Sequence, residues 1–308
     1  MISAGINNLN SRCCWLPAEI GHIQYLCRNN DDVKSVLDIV RNAMKLEVGC
    51  HLSFQADALT PMILMLRPRS GSEQWISRET YLLEPFVPAT EYTDGHGNLC
   101  QRLVAPVGAF SVQTEAWVET SETIAVHLGA PLTAIEFLPD WTLVYLLPSR
   151  YCQSDQLYDL AEQITADYAP GYDRAEAIRA WIRHKIEYKY GTSDASTSAL
   201  DTAQQLVGVC RDFAHLGIAL CRAMDMPARM VVGYLHQLEP MDLHAWFEAY
   251  INHRWYTFDP TQAQPRGNRV AIAYGRDAAD VAITTQFAPI TLVDMQVWVK
   301  PIITARIC

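Results

Sequence analysis

The chain has 308 residues, half of them hydrophobic and 19% charged. That is the balance of a folded globular protein of about two domains, not of a disordered or fibrous one. Asp and Glu (34) outnumber Lys and Arg (24), and the net charge of −10 argues against a protein built to grip nucleic acid or anionic lipid.

No run reaches the ~18 apolar residues of a membrane helix. The polar stretch Met1–Asn10 lacks the apolar core of a signal peptide, so a cytoplasmic protein is expected. Nine cysteines, odd in number and scattered without Cys-x-x-Cys spacing, read as reduced thiols rather than as a disulfide frame or a structural zinc site. No cofactor is called for.

In residues 1–43, Asn7-Asn8, Cys13-Cys14 and Asn29-Asn30-Asp31-Asp32 give no sustained period, and one short helix is predicted from about Asp31 to Met44. Regular patterning begins at Met44. This segment is either translation upstream of a true start at Met44 or a loosely ordered extension. From residue 45 to about 120 the chain reads as strands: Leu46 and Val48, His51–Phe54, Met62–Leu66, Tyr81–Leu83, Leu99–Val104 and Phe110–Val118. Turn residues separate them, and Asp94-Gly95 between two strand-like runs is a hairpin signal. An antiparallel β-sandwich domain is expected over 44–145.

From Ser154 the period turns helical. Ser154 is positioned to cap a helix to about Tyr168, with Pro170-Gly171 as its stop. Asp173 is positioned to cap a second from Arg174 to about Tyr190, whose Ala177, Ile178, Trp181, Ile182 and Ile186 form one buried stripe. Two more helices are predicted over Ser198–Leu206 and 210–225. Strands return at Ala228–Leu235, His244–Ile251 and Arg254–Asp259. Helices followed by an antiparallel sheet make an α+β core over 146–308, C-terminal strands included.

Cys210 follows Gly208 and falls in the first turn of the fourth helix. There, unpaired N–H groups and the positive end of the macrodipole stabilise a thiolate, the nucleophilic form of the residue. Cys221, deep in the same helix, is the inert counterpart. Asn252-His253 forms a two-residue turn that pairs Ile251 with Arg254. That register puts His244, Trp246, Asp259 and Thr261 on one face of the sheet, with Asp259 diagonal to His244. A slip of one residue would separate them. Cys210, His244 and Asp259 are the parts of a thiol acyl-transfer site: nucleophile, proton carrier, and the carboxylate that orients it. The Cys210 N–H is an oxyanion donor, and Gln204 or Gln205 is offered as a second. His215 lies about 140° around the helix from Cys210 and reads as packing, as do Trp246 and Tyr234.

The segments Gly208-Val209-Cys210-Arg211-Asp212-Phe213-Ala214-His215, Pro227-Ala228-Arg229, Val232-Gly233-Tyr234, His244-Ala245-Trp246 and Phe258-Asp259-Pro260-Thr261 resemble the transglutaminase-like superfamily. The likeness is greatest to its bacterial branch, whose members are described as cysteine proteases and carry a β-rich N-terminal domain. The resemblance implies a permuted papain-like core, a Cys210–His244–Asp259 triad, and a protein or peptide substrate. No Asp-x-[Asp/Asn]-x-[Asp/Asn]-Gly loop matches the calcium sites of the animal enzymes. The expected activity is acyl transfer through a Cys210 thioester, with hydrolysis favoured over amine cross-linking. The alternative is a non-catalytic binding or scaffold protein that retains the core.

Overall fold

Alternation governs the first strand, β1 (Ala43–Ala56), where Leu46, Val48, Cys50, Leu52, Phe54 and Ala56 are all buried. The structure, a computed structural model, describes residues 43–302. After β1 come β2 (Thr60–Leu64), β3 (Gln74–Glu84), β4 (Ala89–Thr93), β5 (Leu99–Ala105) and β6 (Gly108–Ser121). Short 3-10 turns lead to α1 (Tyr158–Thr165), α2 (Tyr172–Lys185), β7 (Glu187–Tyr188), α3 (Ala199–Gln205), β8 (Val207–Gly208) and α4 (Cys210–Ala223). The chain ends in β9 (Ala228–Leu235), β10 (His244–Ile251), β11 (Arg254–Phe258), β12 (Arg269–Gly275), β13 (Thr284–Gln286) and β14 (Ile290–Pro301).

Two antiparallel sheets, in strand orders β14-β1-β6-β3 and β13-β2-β5-β4, make the β-rich half. Leu52, Phe54, Met62, Leu64, Phe110 and Val112 are buried between them, each contributing about 1.5–3 kcal/mol by leaving water. The Asp94-Gly95 hairpin forms as expected: the Asp94 carboxylate accepts the N–H groups of His96 and Asn98, both at 2.8 Å. The last two strands differ from expectation. Expected with the helical core, β13 and β14 pair instead with β2 and β1. The long edge of β1 takes a partner there, from Leu46↔Pro301 to Ala56↔Ile290.

The second half is α+β. An antiparallel sheet in order β11-β10-β9-β12 carries α4 against β10. The approach is close: a Cβ on Gly217 would lie 2.3 Å from the Phe247 ring. Helices α1, α2 and α3 pack on α4, and α4 is buried from Asp212 through Arg222. Leu46, Val48, Ala116 and Val118 join this same core, so β1 and β6 serve both halves. Two amide side chains cap the free edge of β12. Gln74 donates to Ala271 O (2.8 Å) and accepts from Ala271 N (2.7 Å), while Asn98 does the same with Tyr274 (2.7 and 2.8 Å).

The helix ends depart from the sequence reading. The helix predicted over Asp31–Met44 lies outside the described residues except at its end, where Ala43 and Met44 are strand. Ser154 opens a 3-10 turn without capping, and α1 starts at Tyr158. Gly171 takes the N-cap of α2 at φ 118°, where an added Cβ would meet Ala130 O at 2.2 Å. The Asp173 carboxylate instead accepts the N–H of Gly129 (2.9 Å). Ile186 turns extended, so α2 stops well short of Tyr190. The helix predicted from Ser198 forms as α3, and Ser198 caps it in a capping box with Asp201.

Candidate active site

A two-residue parallel ladder sets the entrance to α4. Tyr188 pairs with Gly208 across β7 and β8, and Lys189 N–H donates to Gly208 O (2.9 Å). Val209 is the extended N-cap, and the fully buried Asp212 carboxylate reaches back to the Val209 N–H (2.9 Å). Arg211 braces that carboxylate at 3.0–3.1 Å, so the two residues after the cysteine form the structural pair at the helix start. Cys210 thus occupies the first helical position, half-buried.

The β10–β11 hairpin brings the other two groups to it. Asn252 and His253 both take positive φ (45° and 63°), the turn that sequence spacing required, and Ile251 pairs with Arg254. His244 opens β10 and Asp259 follows the last residue of β11. His244 Nε2 and Asp259 Oδ2 are 2.8 Å apart. The carboxylate also accepts the Thr261 hydroxyl (2.7 Å) and Thr261 N–H (3.0 Å) on Oδ1, and Arg269 Nη2 forms an ion pair with Oδ2 at 2.8 Å. With Nε2 engaged by Asp259, Nδ1 is the imidazole nitrogen left for the thiol, and Cys210 and His244 line one cleft.

Both partners are almost wholly buried, His244 at 2% and Asp259 at 4% exposure. Burial opposes the His244 imidazolium, but the Asp259 charge and hydrogen bond, joined by Cys210, outweigh it and push the ring up to about 9. Burial likewise opposes the Asp259 carboxylate. His244, Arg269 and the hydrogen bonds from His244 and Thr261 together hold its carboxyl well below the usual carboxylate range. The result is a charged imidazolium–carboxylate pair at neutral pH.

Cys210 and His244 line a cleft of about 250 Å³ with Tyr188, Tyr190, Asp242 and Gln262. A larger cavity of about 510 Å³ lies against Trp246, Arg229 and the 69–74 loop but contains none of the three site residues. Size alone would favour it; the convergence of thiol, imidazole and carboxylate favours the smaller cleft.

Several other sequence readings meet the structure here. Gln204 and Gln205, offered as oxyanion donors, are exposed and do not line the cleft. Tyr188 lines the cleft beside Cys210, although the sequence pattern puts it near the end of the second predicted helix. Trp246 and Tyr234 are buried and stay out of the cleft. His215 is fully buried, stacked on Tyr151 with ring centroids 5.0 Å apart. Cys221 is buried as well, and desolvation raises its thiol far above the ordinary value; the same effect pushes Cys152 up to about 12 and Cys50 up to about 11. Of the described cysteines, Cys210 is the one not fully buried.

Fold and site define a thiol-dependent enzyme family. The core domain of the transglutaminase-like superfamily matches residues 158–260. A solved structure described as a "Putative Cysteine Protease" from Cytophaga hutchinsonii superposes with a TM-score of 0.80 at 36% identity, covering 86% of this chain and 92% of that one. An uncharacterized protein of Mycobacterium leprae is 28% identical over 232 residues, 70% of this chain and 82% of its own. Another, from Mycobacterium tuberculosis, is 33% identical over 210 residues, 63% of this chain and 58% of its own. The chain belongs to the transglutaminase-like superfamily. Among the described residues no helix is long and apolar enough to cross a membrane.

Proposed function

We propose that this protein is a cysteine amidase or peptidase acting through a thioester on Cys210, with a protein or peptide as substrate. The observation that carries the reading is the buried 2.8 Å bond between His244 and Asp259 beside a half-buried thiol at a helix start. The Cys210 thiolate attacks the carbonyl carbon, and the carbonyl electron pair moves to oxygen. The Cys210 N–H and the Tyr188 hydroxyl receive that oxyanion. Collapse breaks the C–N bond, and the amine leaves with the proton from His244 Nδ1. Water then attacks the thioester and gives its proton to Nδ1. The C–S bond breaks, an acid is released, and the thiolate–imidazolium pair is restored. A primary amine in place of water would give a new amide by the same steps.

Residues 44–145 with the returning C-terminal strands are proposed as the scaffold, and the helical core as the catalytic unit. A cytoplasmic setting is proposed because it keeps the thiol reduced. The test is intact-mass and peptide-map detection of an acyl adduct on Cys210 after incubation with a peptide library, with and without a primary amine. An adduct that forms on wild type and is absent from Cys210→Ala supports the reading. No adduct, with turnover intact in the variant, overturns it.

A further inference from the structure

The cleft that holds Cys210 has a charge of its own. Glu239 and Asp242, from the β9–β10 connection, both line it, and no Lys or Arg does. Asp242 is half-buried, and one of its oxygens accepts the Leu243 N–H at 2.7 Å. Burial pushes its carboxyl up, which the nearby charge of His244 only partly offsets. His244 is itself neutralised by Asp259 at 2.8 Å, so these two carboxylates leave the cleft negative. Tyr188 and Tyr190 stand in the same cleft, 40% and 56% exposed, with ring centroids 5.5 Å apart and nearly perpendicular at 83°. Ring faces attract cations through their quadrupole, and Arg more often than any other side chain occupies such a position.

Carboxylates and exposed aromatic faces in one cleft, with no lysine or arginine and with the one imidazolium already paired to Asp259, form a receptor for a cationic side chain. We propose that the Cys210 cleft selects peptides carrying an arginine or lysine beside the amide that is attacked, with Glu239, Asp242 and the two tyrosines as the selecting groups. The cation is recognised and does not react: a guanidinium is no nucleophile at neutral pH, and it fits the site as well as an ammonium does. This inference rests on the reading of the cleft as the substrate site, and deepens it.

The test separates selection from chemistry by using the full-length Cys210→Ala protein, which binds without turning over. Two fluorescent peptides, otherwise neutral and identical, carry a central arginine or a central glutamate, and binding is followed by anisotropy. The arginine peptide is expected to bind at least about tenfold more tightly. Adding Glu239→Gln and Asp242→Asn should reduce that preference to about threefold or less, with an unchanged melting temperature. Because Glu239 is exposed, the single Glu239→Gln change serves if the pair unfolds, and should reduce the preference in part. Equal binding of the two peptides, binding of neither, or a preference indifferent to these substitutions would overturn the proposal. Failure of wild type to form an acyl adduct on Cys210 would sink the catalytic reading alone, since the charge preference is measured without the thiol.

Discussion

Two of the buried histidines in the second half of this protein, His215 in the middle of α4 and His244 at the start of β10, are driven in opposite directions by their surroundings. His215 is pushed down to about 4, mainly by burial; His244 is pushed up to about 9 although burial opposes it. Both have an aspartate nearby. The Asp277 carboxylate beside His215 spends its oxygens on the N–H groups of Tyr151 and Ala279, each at 2.9 Å. His215 Nε2 accepts the N–H of Ala278 (3.1 Å), which requires that nitrogen to be unprotonated. Asp259 instead gives Oδ2 to the imidazole directly. A nearby carboxylate is therefore not enough. The sign of the shift depends on whether an oxygen is left to accept a proton from the ring.

The sharpest way to break that contrast is to remove what the charged pair serves. Cys210→Ala should lower turnover by about 10⁴-fold or more while the melting temperature holds, because the thiol is only half-buried. Full activity in the variant would detach the pair from catalysis. Iodoacetamide at neutral pH should mark Cys210 ahead of Cys50, Cys100, Cys152 and Cys221, which are all buried, as read by peptide mapping.

Next in size is Asp259→Asn. The amide keeps the shape but not the charge that raises His244. Turnover should fall by about 10²-fold or more, and the alkaline limb of the pH–rate profile, set near 9 by His244 in wild type, should move down. An unmoved limb would assign it to another group.

The two histidines also predict opposite slopes of stability with pH. His244 has a raised value, so its contribution is complete below its unfolded value of about 6.5 and disappears as pH rises through about 9. His215 has a lowered value, so below about 6.5 the unfolded chain binds the extra proton and stability falls toward pH 4. Asp259, held low, adds to the acid loss only below the ordinary carboxylate range. Melting curves from pH 5 to 10 should show that His244→Gln flattens the alkaline side and His215→Gln the acid side. Both variants flattening the same side would contradict the contrast.

How much of this was legible in the sequence follows from what each feature depends on. The His244–Asp259 contact depends on local chemistry, a two-residue turn and the period of a strand, and the Asn252-His253 spacing was sufficient for it. The short helix from Ser198 was legible for the same reason. The end of α2 was not. Ile182 and Ile186 continue a helical stripe, but Glu187 N–H and Lys189 N–H donate to Leu206 O and Gly208 O at 2.9 Å, partners some twenty residues ahead. Long-range pairing overrides local propensity there. The same limit hid the destination of β14, whose partner β1 lies at the far end of the described chain. The bond from Val209 N–H to Asp212 was hidden too, because it depends on the bend before α4.

That overridden helix end is also where the smallest prediction lies. By stopping α2 at Lys185, the β7–β8 ladder brings Tyr188 to the cleft that Cys210 lines, whereas a continued helix would have carried it elsewhere. Its ring packs edge-on against Phe213 of α4 at 5.6 Å, so the ring, and not the hydroxyl, anchors it. Tyr188→Phe should keep that packing and the melting temperature while removing one of two oxyanion donors. A donor that acts only on the developing charge should cost kcat about tenfold and leave KM nearly unchanged. A rise in KM with kcat preserved would make Tyr188 a binding group instead. The ladder would then position substrate rather than the transition state, and the cleft would stabilise the oxyanion through the Cys210 N–H alone.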